Sequence, residues 1–547
     1  MSIEQFLQDI LTHSPALIIA IPLLGAFLTP LVSKINDKVR NIFVILTVAL
    51  TGFIVFLLSY DVLINGKIHS YVFGGGPSVL KLPSGSSFAI RILFEVDGLN
   101  AFMIIIGAIL AFVGVIYSYS FMKENTGLDK YYTLILLMIA GMFGMMLTGD
   151  LFNFFVFLEI TSISSCALIA FWTNKGKSVE AGFKYIVIST IGALFVLFAI
   201  ALLYGKYNAL NMAVLANSID IANNGFIDKA ALVLLISGLA MKAGIVPMHM
   251  WLPDAYGRAP SSVTIILIGT TQASLYALFR VCFTLYGGQL TQTLKYIRFN
   301  LGDSTVILDI RLNGIFALII IVLAILTIVV GVLMALKQNN LKRMIAFAAI
   351  AEIGYMFLAV GAWVWAIGSK HGMVALKGGI FHIINDALDI GLLFLVAGAI
   401  YYVTKETSLN KMGGLARNMK YTTIFFVIGL LAVSGMPPMN GFASKLLIYE
   451  SIYHVNPILS IIAILCSILL LAIFVKVFHS AFLGPKIPKF DKVKEVPISM
   501  LIAMGIIACL IIFFGLFPNF ALDKIVEPAA NAIIDNSSYI SHIIGGA

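Results

Sequence analysis

The sequence predicts an all-α polytopic membrane protein of about fourteen transmembrane helices, and three observations predict it. Of 547 residues, 60% are hydrophobic and only 11% are charged. The apolar residues come in runs of roughly 20, long enough to cross a bilayer as helices. Two of these runs carry a lysine beside a helix-breaking segment: Lys242 before Pro247, and Lys445 after Pro437, Pro438 and Gly441. A soluble core of this size would need far more polar surface. The short alternating segments of a membrane β-barrel are absent.

In order along the chain, the spans fall at 14–33, 41–60, 99–119, 132–148, 151–172, 185–204, 230–249, 260–285, 314–336, 344–363, 373–402, 421–450, 459–483 and 499–517. An even number puts both termini on one side. Charge bias orients them. The loops after odd-numbered spans hold 20 Lys and Arg, the loops after even-numbered spans hold 10, and five lie within spans. Basic loops stay in the cytoplasm, so both termini are expected outside a cell membrane. The same bias explains the net charge of +9 without a nucleic-acid partner. Residues 1–13 carry Glu4 and Asp9 but no Lys or Arg, the wrong start for a cleavable signal peptide.

The longest external loop, about 61–98, contains Gly74-Gly75-Gly76-Pro77 and Pro83, and an 87–94 stretch suited to a short strand. Nothing in it reads as a soluble domain, so residues 1–547 form a single membrane domain. The four cysteines (Cys166, Cys282, Cys466, Cys509) lie in separate spans with no CxxC pair, which supports neither a zinc nor an iron–sulfur site. No redox cofactor is expected in this chain.

Internal symmetry is the next expectation. The seventh and twelfth spans run in opposite directions, five spans apart, and each is broken beside a lysine. This suggests two inverted five-helix repeats, at 132–285 and 314–483. Transporters of that design place ion sites at interrupted helices near the midplane.

The chemistry rests on ionisable groups within the spans, which are costly there and normally face a bundle interior or a water path. Glu159 in the fifth span and Lys242 in the seventh are expected to pair, since each charge offsets the other's desolvation. A pair that opens and closes can pass a proton; a static one fixes helix register. Glu352 and Lys445 form the equivalent set in the second half. His382, Asp386 and Asp389 follow i, i+4, i+7 spacing and share one face of the eleventh span. They suit a hydrated proton relay, a transient Na⁺ site or, less naturally on one helix, metal ligation. Lys377 lies near an end of the eleventh span and reads as a snorkelling, structural residue, whereas Lys476 and Arg280 lie toward span ends and read as interfacial anchors or partner contacts. Asp254 and Arg258 could pair to shape the loop after the seventh span.

These residues sit in recognisable motifs. They are Val96-Asp97-Gly98-Leu99, Asp150-Leu-Phe-Asn-Phe-Phe with Glu159, and the run from Lys242 through Pro247, His249, Trp251, Pro253 and Asp254. Further on come Ala259-Pro260-Ser-Ser, Gln338-Asn-Asn-Leu-Lys342-Arg343 and Gly435-Met-Pro437-Pro438-Met-Asn-Gly441-Phe-Ala-Ser-Lys445. Over about residues 95–485 the chain resembles the antiporter-like subunits of respiratory complex I. Its Asp150-Leu-Phe-Asn and Val96-Asp97-Gly98-Leu99 motifs look closest to the large subunits of Mrp cation/proton antiporters, and they also resemble the equivalent subunits of archaeal membrane-bound hydrogenase-type complexes. The resemblance implies fourteen helices with the seventh and twelfth broken, and a proton-conducting role for Glu159, Lys242 and Lys445, with His249 beside that path. It implies membrane-subunit partners, and a peripheral redox arm if the complex is redox-driven; redox cofactors then lie in partner subunits.

Two positions depart from the family. A lysine usual in the eighth span is Gln272 here, four residues before Tyr276, and a lysine usual in the eleventh is Ile390. Glutamine hydrogen-bonds water but does not exchange protons, and isoleucine does neither. The expectation is therefore a proton- or sodium-translocating subunit of a multisubunit complex. In it Glu159 and Lys242 form the entry, Gln272, His382, Asp386 and Asp389 the middle, and Glu352 with Lys445 the exit. The alternatives are a structural scaffold with an interrupted path and a stand-alone carrier of a small organic solute.

Overall fold

The computed structural model describes residues 3–74, 80–81, 87–88, 91–219, 225–287, 297–301, 304–308, 312–485, 487–491 and 493–544. The first half contains helices α1 (Ile3–Ser33), α2 (Asp37–Leu63), α3 (Gly98–Phe121), α4 (Leu128–Leu147), α5 (Leu151–Ile169), α6 (Gly176–Tyr207), α7 (Met212–Ser218), α8 (Phe226–Ala243), α9 (Leu252–Arg258) and α10 (Ser261–Phe279). The second half contains α11 (Leu312–Leu336), α12 (Leu341–Trp365), α13 (Lys370–Thr404), α14 (Lys420–Val433), α15 (Asn440–Val455), α16 (Pro457–Val477), α17 (Ile498–Leu516), α18 (Pro518–Ala521), α19 (Glu527–Ile534) and α20 (Asn536–Ile544).

Among the described residues, 13 helical stretches are long and apolar enough to span a membrane. They coincide with every sequence-derived span except the twelfth, which is divided between the shorter α14 and α15. The seventh runs past its expected end. After α8 the chain turns through a 3-10 segment, Met248–Trp251, and re-enters helix at α9. Gly244 closes α8 at φ +78°, and Gly435 follows α14 at φ +68°. Both are left-handed C-terminal positions that favour glycine.

Several family motifs turn out to begin helices. Asp97 caps α3, accepting from the N–H groups of Leu99 and Asn100 while its own N–H donates to the Asn100 side chain. Asp150 caps α5 through the Asn153 N–H at 2.7 Å, and Asn340 caps α12 through the Arg343 N–H at 3.1 Å. Each satisfies an N–H that the first helical turn leaves unpaired. Asp150 lies between spans, and burial pushes its carboxyl up to about 6 despite its backbone donors.

The helices are not equivalent. The stretches Ser261–Leu285, Leu341–Trp365 and Lys370–Thr404 each contain an 18-residue segment that is buried throughout, whereas most residues in the corresponding segments of α1, α6, α16 and α17 are not buried. Three central helices surrounded by lipid-facing ones put the polar residues of α10, α12 and α13 on a common axis. Close packing sets the approach of α6 to α8. A Cβ on Gly238 would stand 2.5 Å from the Gly192 carbonyl oxygen, so the two backbones meet where only glycine fits.

The loops after the second and eighth spans carry the strands. β1 (His69–Val72) pairs antiparallel with β4 (Leu93–Val96), β2 (Leu80–Lys81) with β3 (Ser87–Phe88), and β5 (Ile297–Leu301) with β6 (Ser304–Leu308). The strand expected at 87–94 is therefore two short pieces in different hairpins; residues 89–90, like Gly75, Gly76, Pro77 and Pro83 of the same loop, lie outside the described residues. The fold-back of α18–α20 onto this face has no counterpart among the sequence expectations. There Pro528 abuts Gly98, and Asn536 donates to the Phe283 carbonyl at 2.5 Å.

Candidate functional site

Lys242 lies at the end of α8, one turn beyond the Gly192–Gly238 contact. That contact brings α6 close enough for Ser189 to reach it. The buried Lys242 Nζ donates to Ser189 Oγ and to Ser162 Oγ of α5. Glu159 lies three residues before Ser162 on the same helix, and its Oε1 has no hydrogen-bond partner in the protein. The direct Glu159–Lys242 pair expected from sequence is not formed. The two interact through space, and the serines take the ammonium's hydrogen bonds. A serine hydroxyl is short and already anchored to its own helix, here to the Leu158 carbonyl at 2.6 Å, so it competes well for a nearby donor.

Beside Lys242 is a cavity of about 10 Å³, close to what one water needs. Thr161, Ser162, Tyr185, Thr270, Thr271 and Ser274 surround it with hydroxyls. Thr271 in turn bonds Tyr256 Oη at 2.6 Å. The cavity thus leads from Lys242 to α10 at Thr270, Thr271 and Ser274, while Gln272 lies on another face of that helix. Sequence reasoning passes over these hydroxyls, although Thr270-Thr271-Gln272-Ala-Ser274 is a polar cluster inside an otherwise apolar span.

Gln272 is not an isolated substitute for a lysine. Its Nε2 donates to Asp386 Oδ2 at 2.6 Å, joining α10 to α13. Asp386 Oδ1 and Asp389 Oδ1 are buried without a protein partner, so each retains a lone pair for water or a cation. Ile390 is fully buried and apolar; the polar character at this level of α13 comes from the two aspartates instead.

One turn before Asp386, His382 places Nδ1 3.1 Å from Ser444 Oγ and Nε2 2.9 Å from Glu352 Oε2. The second is a close contact without the alignment of a good hydrogen bond. Glu352 Oε1 accepts from Lys445 Nζ at 2.8 Å, and Lys445 also donates to the Val433 carbonyl at 2.7 Å. That carbonyl is freed by the break between α14 and α15. Gly441, in the first turn of α15, would put a Cβ 2.1 Å from the Ala432 oxygen and 3.2 Å from Asp389 Oδ2, so only glycine allows this approach. The expected Glu352–Lys445 pair is formed, with His382 as a third member.

The remaining sequence-derived residues are placed as follows. His249 lies in the 3-10 segment after Lys242, mostly buried, with Nδ1 unpartnered. His382, Asp386 and Asp389 keep separate partners, and among the described residues no three His, Cys, Asp or Glu side chains converge as a metal site. Arg280 is no interfacial anchor. It is buried, bonds Asp97 and Asn100, and lies 4.7 Å from the Tyr539 ring of α20. Lys377 pairs with Glu527 at 3.0 Å. Asp254 pairs with Lys184 at 3.0 Å and Arg343 at 3.3 Å, not with Arg258.

A bundle of 13 membrane-length apolar helical stretches among the described residues, with buried lysines beside two helix breaks, has the form of an antiporter-like membrane subunit. The family profile of the NADH:quinone oxidoreductase/Mrp antiporter transmembrane region matches residues 148–310 and 304–471, and that of the complex I chain 5 N-terminus matches 82–132; the chain belongs to this family. It is 29% identical to NADH-quinone oxidoreductase subunit N of Desulforudis audaxviator, over 94% of this chain and 98% of that one. It is 30% identical to hydrogenase-4 component B of Escherichia coli, over 80% of this chain and 64% of that one. Against a large Na(+)/H(+) antiporter protein of Alkalihalophilus pseudofirmus, identity is 27% over 94% of this chain, which spans 62% of that longer one. In structure it is similar to a chain of the archaeal membrane-bound sulfane sulfur reductase, with TM-score 0.79, 29% identity, and coverage of 97% and 99%. A chain of the Mrp complex from Dietzia shares the fold, with TM-score 0.82 over 98% and 100% at 22% identity.

Proposed function

We propose that this chain is the ion-translocating, antiporter-like subunit of a multisubunit membrane complex, moving H⁺, Na⁺ or both. The observation that carries the reading is the series of buried polar groups at the centre: Lys242 with its hydroxyl-lined cavity, the Gln272–Asp386 pair, and His382–Glu352–Lys445. Buried ionisable groups at this depth are expensive and mark ion pathways. Glu159 and His249 stand beside Lys242 at the entry, and Asp389 beside Asp386 in the middle. An ion arriving at Asp386 changes the charge facing His382, and His382 transmits this to the Glu352–Lys445 pair.

The similarity to complex I, hydrogenase and Mrp subunits supports membrane-subunit partners. A peripheral redox arm, if the complex is redox-driven, would hold the redox cofactors, and this chain would hold none. The chain would sit in the cell membrane with both termini outside, and 132–285 and 314–483 would be inverted repeats. One observation favours the scaffold alternative: Glu159 and Lys242 do not touch, so the entry pair is open as it stands. Ion flux through proteoliposomes holding the assembled complex separates the two. Lys242→Met should abolish flux with assembly intact; unchanged flux would favour the scaffold.

A further inference from the structure

A second polar cavity, of about 300 Å³, lies on the face formed by the loops after the odd-numbered spans. Its lining includes Lys175, Lys177, Arg258 and Lys342 and contains no Asp or Glu. Lys342 is buried, and its Nζ donates to the Ala259 carbonyl at 2.5 Å. Its electrostatic neighbours are Lys175 and Arg258, charges of its own sign. Acids on these loops already have cationic partners: Asp254 pairs with Lys184 and Arg343, and Glu406 with Lys489. A buried ammonium among like charges calls for an anion.

Three further features point the same way. The cavity holds the first residues of two long helices, Gly176 of α6 and Ser261 of α10, and neither start has a side-chain cap. Free N–H groups and the positive end of the helix dipole both favour an anion there. Ser261 Oγ, itself buried, has no hydrogen-bond partner in the protein. Trp172 and Tyr401 form the wall: Lys175 Nζ sits 3.8 Å above the Trp172 ring and donates to Tyr401 Oη at 2.6 Å. Aromatic rings of this kind mark the membrane–water interface.

We propose that this cavity is a phosphate-binding site that takes the phosphodiester headgroup of an anionic phospholipid. Basic pockets between transmembrane helices are suited to such headgroups. The acyl chains would leave past the aromatic wall, and the phosphate would accept from Lys342, Arg258, Ser261 and the helix N–H groups. The site is separate from the ion path, so its occupancy reads out independently of flux.

The test uses the intact complex in nanodiscs of phosphatidylcholine with or without phosphatidylglycerol, with retained lipid counted by native mass spectrometry. The wild type should retain phosphatidylglycerol in preference to phosphatidylcholine. The Lys177→Gln/Arg258→Gln variant changes only partly or fully exposed side chains and should bind it about 30-fold more weakly, from two cations near the headgroup. A second arm titrates inorganic phosphate into the wild type. Saturable phosphate binding that the double variant weakens, with no retained phosphatidylglycerol, assigns the site to a soluble phosphate and overturns the lipid source. Equal lipid retention by wild type and variant, or no binding of either probe by the wild type, overturns the site itself; the latter is the outcome if a partner subunit's carboxylate fills the cavity.

Discussion

Removing either member of the Glu352–Lys445 pair should destabilise the protein far more than removing both. The two charges stand 2.8 Å apart and are fully buried. At an effective permittivity of about 20, that separation corresponds to an attraction of about 6 kcal/mol. Much of this offsets desolvation, and breaking a buried pair by deleting one partner typically costs about 3–5 kcal/mol. Glu352→Gln leaves Lys445 with the Val433 carbonyl and Ser467 as partners but no opposite charge, while Lys445→Met leaves Glu352 with only His382. The double variant leaves neither charge stranded. A double-mutant cycle on the unfolding of the assembled complex should therefore give a coupling of about 6–10 kcal/mol, the sum of the two single losses, with the double variant near wild type. Simple additivity of the two losses would refute this account of the pair. Flux should fall in all three variants, which separates the pair's part in stability from its part in transport.

Four other outcomes follow from the geometry. Ser162→Ala with Ser189→Ala removes both hydroxyl acceptors from Lys242 and should lower flux at least tenfold, measured by fluorescence quenching in proteoliposomes, while either single change costs less. Gly238→Val should impair assembly, read by complex yield on native gels, because its side chain meets the Gly192 carbonyl. Gln272→Lys should alter the pH profile of flux, because an ammonium would then face Asp386 in place of an amide. Asp150 has a carboxyl raised to about 6 by burial, so the fold binds its proton more tightly than the unfolded chain does. Its contribution is fully present below about pH 4 and is lost as pH rises through about 6. Asp150→Asn keeps an acceptor for the cap and should flatten the stability profile across that window, from about pH 4 to about pH 6.

The helices were legible in the sequence because a bilayer imposes one length and one composition on every span. The break at Pro247 and the one at Pro437-Pro438 were legible because proline and glycine leave few helical options. Glu352 and Lys445 could be matched because each is an ionisable residue inside an otherwise apolar stretch. The Glu159–Lys242 contact could not be read in the same way. Ser162 and Ser189 look like ordinary hydroxyls in membrane helices, and only the approach of Gly192 to Gly238 shows that they outcompete the carboxylate. Arg280 reads as an anchor because it is near a span end, but the fold-back of α18–α20 buries it. That fold-back is built from short helices, each too brief to show a span of its own. Gln272 reads as a lost carrier until the packing of α10 against α13 sets it on Asp386.

The central claim is that ions cross between the two halves of the chain at Asp386. Asp386→Asn in the assembled, reconstituted complex tests it most directly. The substitution keeps shape and an oxygen to accept from Gln272 but removes the titratable, cation-binding carboxylate. Loss of H⁺ and Na⁺ flux at wild-type assembly is the predicted result. Wild-type flux from the same preparation would contradict the account.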